Sequence, residues 1–302
     1  MDTRPDAQSG PIFKRGAMSI NYEKEYDNRG RIPEHPEIFA RWDREAAAYR
    51  EEARGKGAQF GIKYGDSARQ IYDFFPGTNT HAGAALAVFI HGGWWRTLEP
   101  AKFSHMAKGL NAQGIDVAVA GYDLCPSVSI ATIIEQIRAC CLALWDKHKK
   151  RLMVAGHSAG GHLAACMVAT DWHTLSKHAP ADLVPFGYAI SGVFDLAPLT
   201  QVSVNSDLKL DAESARAASP YLWKVPPQRS LDAVVGKNES SEFLRQSKLI
   251  ADTWAKQGAV TRYEEAPGNH FTVIDLLAEK DSYMTMRVAK LTERVNAMAL
   301  GG

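Results

Sequence analysis

Charge of one sign, cysteine in metal or redox spacing, and long apolar runs are all scarce in this chain. Of its 302 residues, Lys and Arg number 35 and Asp and Glu 34, a formal net charge of +1. A nucleic-acid binder carries a basic stripe that neutralises phosphates. A balance this even offers none and points to a small-molecule partner. The 4 cysteines stand at positions 125, 140, 141 and 166, and no pair has the C-x-x-C spacing of a zinc or redox site. Nothing resembles a disulfide framework, which fits a reducing compartment. No run approaches the roughly 20 apolar residues of a membrane-spanning helix. The opening residues also lack the apolar stretch of about 7–15 residues that marks a secretory signal. These absences leave a soluble, cytoplasmic enzyme as the expected class, with a homodimer left open.

Residues 1–17, polar and broken by Pro and Gly, are expected to form a disordered lead, and Met18 opens more ordinary sequence. Over 36–54, Ile38, Phe39, Trp42, Ala46 and Tyr49 recur at three- and four-residue steps, which predicts an amphipathic helix packed on the main body. Beyond it, strand-like runs at 70–75, 86–90, 115–120, 152–155, 186–190, 233–235 and 260–265 alternate with helical stretches at about 101–113, 129–149, 159–170, 240–257 and 272–298. Helices of that length between strands are crossovers. The fold class is therefore α/β, a mostly parallel central sheet with helices on both faces. From 197 to 228 the rhythm fails. Pro198, Pro220, Pro226 and Pro227, several Ser and no strand predict a small cap inserted into a single domain over 18–302.

The strongest chemical signal is Gly156-His157-Ser158-Ala159-Gly160-Gly161-His162, where an apolar strand runs through G-x-S-x-G into a helix. That turn strains the serine into an exposed position and needs small residues two places to either side. A phosphate loop would need Lys after Gly161, where His162 stands, and a dinucleotide fingerprint would need Gly at Ser158. A second signal, His91-Gly92-Gly93-Trp94-Trp95, directly follows the apolar run 86–90. Acyl transfer builds negative charge on the carbonyl oxygen, and each preorganised amide donor to it contributes roughly 3 kcal/mol. The expected hole uses the amides of Gly93, Trp94 and Ala159, with Gly92 shaping the turn.

A serine hydroxyl needs a base and the base needs a carboxylate to orient it, in the chain order Ser, acid, His. Among the 10 histidines only His270 follows the last predicted strand, in the turn-rich stretch Ala266-Pro267-Gly268-Asn269-His270-Phe271. Glu239, in the loop after 233–235, is the expected acid, and Asp195 is the alternative. His157 and His162 flank the elbow without evident partners for a metal. The chemistry needs no metal and no cofactor. Trp94, Trp95, Tyr122, Trp172, Phe194 and Phe271 are candidates to line an apolar substrate pocket.

These motifs, together with Val234-Val235-Gly236, Glu239-Ser240-Ser241-Glu242-Phe243, Gln246-Ser247 and Gly268-Asn269-His270-Phe271, resemble the α/β-hydrolases of the hormone-sensitive-lipase-like group. Within that group the chain is similar to the kynurenine formamidase branch and its esterase relatives. The likeness extends from about Tyr22, through Tyr26-Asp27-Asn28-Arg29 and Ile190-Ser191-Gly192-Val193-Phe194-Asp195-Leu196. It implies an α/β-hydrolase fold with Ser158 as nucleophile, Glu239 as acid and His270 as base. The acid in that branch is usually Asp, and Trp94 stands where Tyr or Gly is commoner. The expected activity is hydrolysis of small carboxylic esters through an acyl-enzyme, with arylformamidase as the alternative. A catalytically silent ligand-binding protein of the same fold is the reading from a different class.

Overall fold

The computed structural model describes residues 20–78 and 86–300, so the expected lead over 1–17 lies outside the described residues. Among the described residues, eight strands form one sheet: β1 Gln59–Lys63, β2 Ile71–Phe75, β3 Leu86–Ile90, β4 Asp116–Ala120, β5 Leu152–His157, β6 Phe186–Ile190, β7 Ser230–Gly236 and β8 Val260–Ala266. Their order across the sheet is β1-β2-β4-β3-β5-β6-β7-β8. β1 and β2 run antiparallel to their neighbours, and β3 through β8 are mutually parallel.

The helices are α1 Tyr22–Tyr26, α2 Asn28–Arg31, α3 His35–Arg54, α4 Lys108–Ala112, α5 Ile130–His148, α6 Ala159–Val168, α7 Trp172–Leu175, α8 Asn205–Leu208, α9 Ala212–Ala217, α10 Ser241–Ala255 and α11 Tyr283–Leu300. They cover both faces of the sheet. A parallel strand covered on both faces is mostly apolar, and β3, β4, β5, β6 and β7 are buried at every position. Alternate residues serve different layers. Leu86, Val88 and Ile90 of β3 pack with residues of α5, α6 and α10, while Ala87 and Phe89 pack with residues of α3 and α11. No helix among the described residues is long and apolar enough to cross a membrane.

Several elements depart from the sequence expectations for local reasons. β1 has no counterpart in the predicted strands because it is the sheet's edge: its residues alternate between exposed and half-buried, and Gly61 interrupts the apolar pattern. The helix expected over 101–113 is a 3-10 turn at Pro100–Ala107 followed by the short α4. The helix expected over 272–298 splits into a 3-10 turn at Thr272–Ala278 and α11. Ser282 makes the break, its hydroxyl donating to the carbonyl of Leu276 and accepting from the amide of Thr285. Residues 197–228, between β6 and β7, fold into 3-10 turns at Ala197–Gln201 and Pro220–Leu222 with α8 and α9 between them.

The amphipathic pattern over 36–54 becomes α3, which buries Ile38, Trp42, Ala46, Tyr49 and Ala53. Its attachment is partly polar. Tyr49 donates to Asn111 Oδ1 at 2.5 Å, and Asn111 donates to the carbonyls of Phe75 and Ile115 at 2.9 and 2.8 Å, all in buried surroundings. A buried acceptor left without a donor costs about 1–3 kcal/mol. Asn111→Leu should therefore lower the unfolding free energy by about 3 kcal/mol in urea titrations. A loss below about 1 kcal/mol would mean that these carbonyls find other partners.

Candidate active site

The turn between β5 and α6 holds Ser158 at φ 56° and ψ −117°, a conformation rare for a residue with a Cβ. The helix can follow so abruptly because Gly156 and Gly160 leave no side chain in the way. A Cβ on Gly160 would stand 1.9 Å from the carbonyl oxygen of Ile90, and one on Gly156 would stand 2.1 Å from that of Gly160. The amide of Ser158 is anchored on the carbonyl of Ile190 at 2.8 Å, which ties the turn to the neighbouring strand.

Three side chains from separate loops meet there. His270 Nδ1 donates to Glu239 Oε2 at 2.6 Å, and Ser158 Oγ stands 3.1 Å from His270 Nε2. All three are buried, with exposures of 3% for Ser158 and His270 and 8% for Glu239. The other carboxylate oxygen of Glu239 is also engaged, accepting from the Gly236 amide at 2.7 Å and the Ser191 hydroxyl at 2.5 Å. The length of Glu is used here: the side chain folds back over its own loop to reach the Gly236 amide while still presenting Oε2 to His270. Asp195, the alternative acid, instead pairs with Arg245 at 3.2 Å. Ser191 falls within the likeness over 190–196 without a role assigned to it, and the left-handed turn it adopts, φ 51° after β6, aims its hydroxyl at Glu239.

Ser158 and His270 open onto a cavity of about 170 Å³, lined in part by Gly92, Gly93, Trp94 and Phe271. Ala159 is the first residue of α6, buried beside Ser158. No hydrogen bond among the described residues uses the amides of Gly93, Trp94 or Ala159. Of the six expected pocket residues, only Trp94 and Phe271 line the cavity. Trp95, Tyr122, Trp172 and Phe194 are wholly buried in the core instead. Trp95 meets the His162 ring edge-on at 5.0 Å, and Tyr122 stacks on His91 at 4.4 Å while donating to its carbonyl. Closeness to a motif in sequence did not make them pocket residues, because their side chains turn inward against the sheet.

The rest of the aromatic wall comes from Tyr26 of α1, Phe39 and Trp42 of α3, and Phe103. Phe39 lies 4.9 Å from Phe271 in an edge-to-face pair, and Trp42 donates to Asp275 at 2.8 Å. The helical spacing of Phe39 and Trp42 is a visible signal, but it reads equally as core packing. Val202, Ser203 and Val204, from the segment between β6 and β7, close another side.

The architecture and the three-residue relay define an α/β hydrolase, and the profile of the α/β hydrolase fold family matches residues 87–225. The chain is 30% identical over 256 residues to the kynurenine formamidase of Salmo salar, covering 80% of this chain and 84% of that one. It is likewise 30% identical over 235 residues to the kynurenine formamidase of Drosophila melanogaster, covering 73% and 77%. Among solved structures it is similar to a candidate thioesterase from Silicibacter sp. TM1040, with a TM-score of 0.79, 30% identity, and 89% and 99% of the two chains covered. The chain belongs to the family of α/β hydrolases that includes the kynurenine formamidases.

Neutral imidazoles surround the relay. Burial lowers His91 and His162 from 6.5 to about 4. Each keeps one ring N–H on a carbonyl, His91 on Gly92 and His162 on Ala218, both at 2.7 Å. Their pKa values are depressed in the folded state, so the unfolded chain takes up protons first as pH falls below 6.5, and stability is lost from there down to about 4. Each should contribute a loss of about 1.4 kcal/mol between pH 7.5 and 5.5. Denaturant titrations at those two pH values should show a combined drop of about 2–3 kcal/mol. A flat profile would contradict the neutral state of these rings.

Proposed function

We propose that the protein is an arylformamidase that hydrolyses the formyl group of an aryl formamide through Ser158. The observation that carries this reading is the unbroken line from Glu239 through His270 to Ser158 at the wall of a small aromatic cavity. The kynurenine formamidases similar to this chain support the formamide as the scissile group.

Glu239 holds the His270 ring with its proton on Nδ1, so that Nε2 faces Ser158 with its lone pair. As Oγ attacks the formyl carbon, Nε2 takes the hydroxyl proton. The carbonyl oxygen becomes an oxyanion, received by the amides of Gly93, Trp94 and Ala159. When the carbon–nitrogen bond breaks, His270 returns that proton to the departing arylamine. A formyl ester of Ser158 remains. His270 then deprotonates a water that attacks this ester, and the collapse releases formate and restores the serine. The compact cavity suits a formyl group with one aromatic ring, since ligand sites for larger molecules commonly enclose about 300–1,000 Å³.

Hydrolysis of small carboxylic esters, the first expectation from sequence, becomes the second reading. It is favoured by the likeness to the Silicibacter candidate thioesterase, and the same relay would cleave either bond. N-formylkynurenine should be turned over with a higher kcat/KM than p-nitrophenyl acetate, and the reverse order would move the assignment to an esterase. Ser158→Ala should lower kcat by roughly ten-thousand-fold or more, and Glu239→Ala by about 100- to 10,000-fold. Asp195→Ala should stay near wild type. A large loss there with little in Glu239→Ala would reassign the acid. If purified protein fails to react with a fluorophosphonate probe and is indistinguishable from Ser158→Ala, the silent binding protein becomes the better reading.

A further inference from the structure

His157, the residue before Ser158, takes no part in the chemistry above. Its backbone is fixed, because it is the last residue of β5 and pairs in register with Ile190 of β6. Its side chain reaches across to the loop after β8, where Nε2 donates to the carbonyl oxygen of His270 at 2.7 Å. A carbonyl can only accept, so this bond places the proton of a neutral His157 on Nε2. The two imidazoles lie with ring centres 4.8 Å apart. On its other side the His157 ring meets Gly92: a Cβ there would stand 3.3 Å from His157 Nδ1, 2.9 Å from the His157 carbonyl oxygen and 3.0 Å from Ser158 Cβ. One ring thus fills the gap between the turn that carries Gly93 and Trp94 and the loop that carries His270.

The loop after β8 is otherwise bonded mainly to itself and to its neighbour after β7. Asn269 Oδ1 accepts from the amides of Phe271 and Thr272, and the Gly268 carbonyl accepts from the Asn238 amide. Apart from the contact of His270 with Ser158, the bond from His157 is the hydrogen bond among the described residues that joins this loop to β5. We propose that His157 is a positioning residue, its Nε2–H holding the His270 backbone and its ring setting the distance between the base loop and the oxyanion turn. Burial, reinforced by the neighbouring His270, holds its pKa well below 6.5, so the donor stays in place and no second imidazolium charge faces the base. This proposal rests on the reading of His270 as the base.

The roles separate by side-chain chemistry. His157→Gln places an amide N–H near the position of Nε2, whereas His157→Met fills similar space without a donor and leaves a buried carbonyl unpaired. A misplacement near 1 Å of a reacting group can cost on the order of 100-fold. Steady-state kinetics on N-formylkynurenine and on p-nitrophenyl acetate, with thermal melts of each variant, make the test. His157→Met should lose about 10- to 100-fold in kcat on both substrates with KM changed less than about threefold, and His157→Gln should recover to within about fivefold of wild type. Equal losses in Gln and Met, a loss confined to KM, or no loss in Met would each overturn the proposal while leaving the base assignment intact. Turnover that persists in His270→Ala would remove the base assignment and the proposal with it.

Discussion

The site depends on how closely α6 passes behind the ends of β3 and β5. Ser158 is held at an angle that a residue with a Cβ rarely adopts, and nothing in its own side chain pays for that strain. The compensation is distributed: the Ser158 amide is taken by Ile190, α6 is buried over its whole length, and the glycines at 156 and 160 let backbone touch backbone. The two loops that complete the relay then need only reach a serine whose position is already determined. Glu239 arrives from the end of β7 and His270 from the end of β8, adjacent parallel strands that deliver both to the same edge of the sheet.

Around Ser158, His270 and Glu239 the protein places further histidines that burial keeps uncharged. His91 is sandwiched between Tyr122 and Phe103, His162 is met edge-on by Trp95, and His157 faces His270. Each is buried and hydrogen-bonded to a carbonyl, so each acts as a shaped donor with no charge of its own. His270 therefore has no charged imidazole beside it. A carboxylate with three hydrogen bonds on its two oxygens supports that ring against tilting.

Much of the fold was legible because buried parallel strands are apolar at every residue, and that pattern stands out at 86–90, 152–155 and 186–190. β1 was not legible, since an edge strand with one solvent-facing side lacks that pattern. The serine, histidine and glutamate were legible through spacing and order along the chain, which geometry then brings into contact. The pocket was not. Trp95, Tyr122, Trp172 and Phe194 lie near the motifs in sequence but point into the core, whereas Tyr26, Phe39 and Trp42 are distant in sequence and form the wall. Which way an aromatic side chain faces depends on the packing of whole helices against the sheet, and periodicity alone cannot distinguish a core stripe from a cavity wall. The contact of Ser191 with Glu239 escaped for a related reason, since the direction of a single hydroxyl is set only once its turn is folded.

Part of the cavity wall comes from a stretch of chain remote from the serine turn. Phe39 and Trp42 sit on α3, well before β3, and meet the chain after β8 through Phe271 and Asp275. A change at Phe39 or Trp42 would thus reshape the cavity from a helix that supplies none of the contacts among Ser158, His270 and Glu239.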